Sequence, residues 1–460
     1  MAQLNEDLLL GGMAISNPYI KGAAVSVLAL LLTAGVLAAS ALQMVLGYLY
    51  ILPFTIYLTG TNIMNVGLVF ILFASYVLFK KSERLVIDAT AVFIFVFILS
   101  FIPSLFIASS KVIVPHLSML LQYICCLLMY VLVSNAIATE AHISSTTKGL
   151  MVVLYLYSFF AIAEYFFFPY SVGLHRVRGP WREYELYSEY LSYMLPLAVY
   201  YFRDSKLKLI GTCCFILVMM LLTGTRGGPV SLLLGLMLWW MLESNRLANA
   251  VKATALAVIL LPLALIAYEF ISSGSKIDKD DGLMQRFSDT TLNKNYIPDT
   301  RADVWTVHGK VISKVGLLGE GPNPRGNWYY KALAAGDASL LTGSRLPEPS
   351  VAGYPHSLFL TLLETGGVPS LLAFYAMAIS LLVRLYRLKR RVADSPKHEH
   401  MTRLVNVLII SIAIFLINET KIEFVRYFHY QLYIFGYLFG LAGGVLHCYT
   451  KLLNAETENT

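Results

Sequence analysis

Apolar runs long enough to cross a hydrocarbon core, which takes about 20 helical residues, recur along nearly the whole chain with short polar gaps between them. Blocks bounded by charge or turn residues predict spans near residues 22–58, 63–79, 86–108, 112–137, 147–168, 186–202, 207–223, 228–242, 250–271, 356–384, 403–419 and 427–448. The first block is long enough for two helices and a tight turn, so the expected count is 12 or 13. The weak alternating segments of a closed barrel, about ten residues each, are not seen, which leaves helices as the way to satisfy the backbone inside lipid. The expected fold is all-α and polytopic, a single integral membrane domain over residues 1–460.

Composition agrees with the pattern. Of 460 residues, 57% are apolar and 14% charged, and the mean hydropathy is +0.65. The formal net charge of +7 does not point to nucleic acid, because the basic residues sit mostly at the ends of apolar blocks and so report topology. Lys80, Lys81 and Arg84, then Arg203, Lys206 and Lys208, then Arg246 and Lys252, fall in alternate gaps with Arg384, Arg387, Lys389, Arg390 and Arg391. By the positive-inside rule these gaps are cytoplasmic. The others face outward, including the only long hydrophilic stretch, residues 272–355, and a loop of that length is usually functional. Residues 1–20 lack the basic start and small-residue cleavage site of a signal peptide, so the first span is expected to direct insertion itself. Cys125, Cys126, Cys213, Cys214 and Cys448 lie in or beside apolar segments without the spacing of a zinc site or a disulfide framework, and read as core thiols.

The informative residues break the positive-inside pattern. Arg176, Arg178, Arg182, Arg226 and Arg301 all map to the outer face. A few outward arginines are ordinary in any membrane protein, so local context decides. Arg226 lies in the turn Thr223-Gly224-Thr225-Arg226-Gly227-Gly228-Pro229, with Pro229 suited to the first turn of the next helix. Such a turn offers free backbone N–H groups, the positive end of a helix and a planar guanidinium able to hold phosphate with two hydrogen bonds. The plainer alternative is a Gly-rich turn that serves close helix packing. Arg301 follows Thr300, with Asp303 next in a capping pattern, and Val304, Val307, Val311, Ile312 and Val315 keep helical spacing up to Gly316. That segment equally fits an exposed arginine on a solvated helix. His356 follows Gly353-Tyr354-Pro355 and opens an apolar helix. The positive helix end there disfavours imidazolium, so a neutral, proton-accepting ring is expected; the alternative is a packing residue at a membrane boundary.

Three helix starts on one face thus present two arginines and a histidine, a set suited to binding a diphosphate and deprotonating a nucleophile beside it. No metal and no cofactor is expected: Asp278, Asp280, Asp281 and Glu320 fall in no recognised metal spacing, and no Walker or dinucleotide fingerprint occurs. A transporter of lipid-linked glycans would also explain spans and outward arginines, but it predicts ionisable residues near mid-membrane. The spans read as nearly free of them, with Glu164 toward an outer end and Glu364 two turns into its helix.

At these residues the sequence resembles the O-antigen ligase and polymerase superfamily. The resemblance rests on Thr223-Gly224-Thr225-Arg226-Gly227, on His356-Ser357, on Arg301 with Trp305 four residues on, on Gly319 and Gly321, and on Leu362-Leu363-Glu364-Thr365-Gly366. Arg178-Gly179 matches a further arginine before a glycine in a short external loop. Thr225 stands where the family has serine, Ser357 where it has asparagine, and Trp181-Arg182-Glu183 where members often have Pro-Asn. The likeness covers about residues 150–385. It implies a glycosyltransferase C-like fold of about 12 transmembrane helices with a large periplasmic loop at 272–355, in the bacterial inner membrane with its active site facing the periplasm. It implies transfer of a glycan from undecaprenyl diphosphate to an acceptor hydroxyl, with Arg226 and Arg301 on the diphosphate and His356 near the reacting centre. Arg178, Trp181, Tyr184, Tyr187 and Trp305 would bind substrate. The acceptor is the lipid A core for a ligase or a second lipid-linked glycan for a polymerase, and the residues leave that choice open.

Overall fold

In the computed structural model of the chain, the described residues are 40–59, 63–80, 85–107, 113–167, 176–181, 183–225, 227–242, 308–309, 312–313, 316–319, 321, 357–392, 398–420, 424–426 and 428–458. The expected span at 250–271, residues 1–20 and most of 272–355 lie outside them.

Every regular element among the described residues is helical. We number the α-helices in chain order: α1 Ala41–Thr59, α2 Ile63–Ser75 with a π-helical turn Tyr76–Lys80, α3 Ala89–Leu99, α4 Ile102–Ile107, α5 Ile113–Ala136 and α6 Glu140–Phe167. Then come α7 Tyr184–Phe202, α8 Lys206–Leu222, α9 Gly227–Leu242, α10 Leu358–Val392, α11 Glu399–Asn418 and α12 Phe428–Tyr433, which passes through a π-helical segment Ile434–Phe439 into α13 Gly440–Glu458. Among the described residues, six stretches are long and apolar enough to cross a membrane, namely Ala89–Phe106, His116–Ala136, Glu140–Phe166, Leu358–Val392, Glu399–Asn418 and Tyr430–Glu458. The all-helical membrane fold is as expected, while the count of 12 or 13 is matched only in part.

The packing has a centre. Helix α11 lies against α7, α9 and α10, and α10 also packs on α3. Helix α11 is apolar on nearly every face, and residues from Leu404 to Ile412 are buried without a break, as expected of a helix surrounded by others rather than by lipid. At the end of the bundle that the charge pattern marks as cytoplasmic, Asp88 caps α3 by accepting from the Ala91 amide at 3.0 Å. The same carboxylate pairs with Arg384 of α10 and accepts from the Tyr130 hydroxyl of α5 at 2.9 Å. Three helices are thereby tied at that face.

Helix α10 is bent near its opposite end, and the bend explains a loop contact. Pro369 has no N–H to give the Thr365 carbonyl, and Gly367 takes φ 65° and ψ −161°, a backbone state close to glycine-only, which frees the Val368 amide as well. Both orphan groups are taken up by the loop: Gly321 N–H donates to Thr365 O at 2.7 Å, and Val368 N–H donates to Leu317 O at 2.9 Å. A Cβ on Gly367 would collide with the Leu317 carbonyl. Residues 316–319 and 321 therefore lie across the kink as a strap held by the main chain. The helix expected to run to Gly316 is present where it is described, at His308–Gly309 and Ile312–Ser313, and its last turn closes by Gly316 N–H to Ile312 O.

Candidate functional site

The starts of α9 and α10 meet on the end of α11. Ser231, in the first turn of α9, bonds the Asn418 side chain at 2.6 Å. The Leu358 amide, the first of α10, donates to the backbone carbonyl of Glu419 at 2.9 Å. The Glu419 carboxylate accepts from the Phe424 amide at 3.1 and 3.2 Å, which fixes the turn that follows α11. Adjacent residues of one helix end thus hold the two helix starts that follow Arg226 and His356 in sequence. Arg226, Arg301, Trp305 and His356 themselves lie outside the described residues.

The turn before α9 is built as its composition predicts. The Thr223 hydroxyl donates to Met220 O at 2.6 Å and lies 3.0 Å from that of Thr225, and the Gly224 amide closes on Leu221 O. The loop carrying Arg178 runs beside this turn, because the Val177 amide donates to Leu222 O at 3.0 Å. Gly179, at φ 65°, lies so close to the Tyr187 ring that a Cβ would sit 2.6 Å from it. That contact and that φ are why glycine follows Arg178. The Arg176 guanidinium lies 4.5 Å over the Tyr184 ring, a cation–π contact at the start of α7.

Trp181 and Tyr187 are buried inside the bundle end. Trp181 packs on Tyr190 at 4.8 Å between ring centroids, and on Tyr157 and Tyr430 at 5.2 Å each. The Tyr187 hydroxyl donates to Ser158 at 2.9 Å. Arg178, Trp181, Tyr184 and Tyr187 are therefore brought together, with the turn of Arg226 alongside.

Two features were missed in the sequence. The first is His308, whose Nδ1 lies 2.7 Å from Glu364 Oε2, both side chains being 1% exposed. This pair adds a side-chain lock to the strap, and its only signal was Glu364 in an otherwise apolar helix. The second is Glu189 on α7, fully buried, which corrects the reading that the spans are nearly free of ionisable groups. Its carboxylate faces the Tyr430 hydroxyl and the Glu419 carboxylate, yet neither of its oxygens forms a hydrogen bond. The Trp181 indole N–H and the hydroxyls of Tyr190, Tyr193 and Tyr430 are likewise buried without a hydrogen bond. An unpaired buried polar group costs about 1–3 kcal/mol. Native structures hold few, and each calls for a reason. Among the described residues no three His, Cys, Asp or Glu side chains gather in a metal-binding group.

The membrane-crossing helices define a multi-pass membrane protein. Residues 211–375 match the family model described as O-antigen ligase. The match supports the resemblance to the O-antigen ligase superfamily, and it spans all the motifs that carry the resemblance except Arg178-Gly179. The family is one of membrane ligases and polymerases that move lipid-linked glycans. A search of curated proteins finds no match to the chain.

Proposed function

We propose that this protein is a membrane glycosyltransferase of the O-antigen ligase type, moving a glycan from undecaprenyl diphosphate to a hydroxyl of the lipid A core at the periplasmic face of the inner membrane. The observation that carries the reading is the meeting of the α9 and α10 starts on Asn418 and Glu419. It supports a shared site for the arginine turn and the histidine-led helix.

Arg226 and Arg301 bind the diphosphate and offset the charge that develops on it as it leaves. His356 takes the proton of the attacking hydroxyl. The new bond forms at the anomeric carbon as the bond to the diphosphate oxygen breaks, so one displacement inverts the centre, and the energy comes from the sugar–phosphate linkage without ATP or a nucleotide sugar. Arg178, Trp181, Tyr184 and Tyr187, with Trp305, bind the donor's glycan portion.

The test is the lipopolysaccharide pattern of a deletion strain. Loss of the whole ladder with accumulation of lipid-linked polymer supports the ligase. A core bearing one repeat indicates a polymerase instead, and a normal pattern with normal lipid-linked intermediates refutes both.

A further inference from the structure

The six unbonded polar atoms gathered around Glu189 have no role in packing, and their chemistry is specific. A carboxyl buried without a cation keeps its proton and, like the tyrosine hydroxyls, both donates and accepts, while an indole N–H only donates. That mixture suits hydroxyl groups. It does not suit a phosphate, because none of the six atoms belongs to a cation that could hold one. Tyr193 and Tyr430 lie beside Glu189, and Trp181 packs its ring on those of Tyr190 and Tyr430. All of these residues lack any hydrogen bond at those polar atoms.

Position supports a role in the reaction. Glu189 comes five residues into α7, about 7.5 Å along the axis from its start at the rise of an α-helix. Its neighbour Ser188 is the residue on which the start of α9 rests, since a Cβ on Gly228 would strike the Ser188 hydroxyl. Glu419, on its other side, holds the start of α10.

We propose that Glu189, with Tyr193 and Tyr430, is the subsite for the acceptor sugar, binding its non-reacting hydroxyls and so setting which acceptor is used. This inference rests on the glycan-transfer reading above. The arginine-bearing starts take the anionic end of the donor, and the carboxylate subsite takes the neutral polyol that attacks it.

The experiment uses the full-length protein purified in detergent, with undecaprenyl-diphosphate-linked glycan as donor and lipid A core as acceptor. Glu189→Gln is expected to raise the acceptor KM by about tenfold or more, and Tyr430→Phe by several-fold, as expected when a buried hydrogen-bonding group loses its partner. The dissociation constant for the donor stays at the wild-type value in both. An unchanged acceptor KM in both variants overturns the proposal, and so does a matching loss of donor binding, which marks a purely structural role. If Glu189→Gln does not fold, Tyr430→Phe and Tyr193→Phe, which keep their rings, decide by the same readout. A wild-type protein that transfers nothing from this donor refutes the glycan-transfer reading itself, a different outcome from transfer with an unaltered acceptor KM in the variants.

Discussion

Breaking the His308–Glu364 pair tests whether the loop strap is a working part of the site. The two side chains meet at 2.7 Å and are each 1% exposed, so His308→Ala takes the imidazole away from an enclosed carboxyl group. Removing one member of a buried pair costs about 3–5 kcal/mol, far more than the pair contributes relative to a well-packed apolar substitute. Glu364→Ala, which strands a ring rather than a carboxylate, is expected to cost about 1–3 kcal/mol plus the cavity it leaves. The double variant falls short of the sum, with a coupling of about 1.5–3 kcal/mol, the range of a hydrogen bond to a charged group. The measurement is a double-mutant cycle by denaturant unfolding in detergent, paired with limited proteolysis of the loop. The single variants should expose the loop to cleavage at denaturant concentrations that leave α10 and α11 folded, because they remove the side-chain lock that supplements the strap's backbone hydrogen bonds. Effects that add to within about 0.5 kcal/mol would mean the two residues do not act as a pair.

Gly367→Ala should also free the strap: it forces a side chain into a glycine-only conformation, at about 1–3 kcal/mol, and against the Leu317 carbonyl, so transfer activity should fall with expression retained. Arg226→Ala and Arg301→Ala should each lose at least about tenfold in turnover, a charge-assisted bond being worth about 1.5–3 kcal/mol. Lysine at either position should restore only part of it for want of the planar fork, and full restoration by lysine would argue against bidentate contact. A variant without Cys125, Cys126, Cys213, Cys214 and Cys448 should keep most activity, since all five are free thiols in apolar surroundings; complete loss in a stable variant would contradict that. Transfer should persist in excess EDTA, and loss that magnesium or manganese restores would return attention to Asp278, Asp280, Asp281 and Glu320.

Helix positions were legible where charge or a turn cuts an apolar run. The expected 63–79, 112–137, 207–223 and 228–242 correspond to Ile63–Lys80, Ile113–Ala136, Lys206–Leu222 and Gly227–Leu242. They were less legible where polar residues are helical. Helix α6 begins at Glu140 rather than near 147, because Thr146 and Thr147 turn their hydroxyls back onto His142 O and Ile143 O and so hide their polarity within the helix. Helix α10 runs to Val392, beyond the expected 384, with its last turn carrying Lys389, Arg390 and Arg391. Hydropathy stops at such residues although the helix does not. The arginine turn and the histidine-led helix were found because glycine and proline punctuate the chain there. Glu189 was not, since one carboxylate among tyrosines leaves the apolar pattern of α7 nearly intact. The pairing of His308 with Glu364 joins residues 56 apart, and spacing alone carries no sign of it.

Because α9 and α10 begin on neighbouring residues of one helix end, α11 works as a yoke. A tilt or slide of α11 carries both first turns together and leaves the gap between them unchanged, so thermal motion of the bundle is filtered out of the spacing that matters. The corollary is a single point of failure. An injury at Asn418 or Glu419 would uncouple two otherwise sound helices at once, and a screen for inactive but well-folded variants should return hits there far more often than along the lipid-facing sides of either helix.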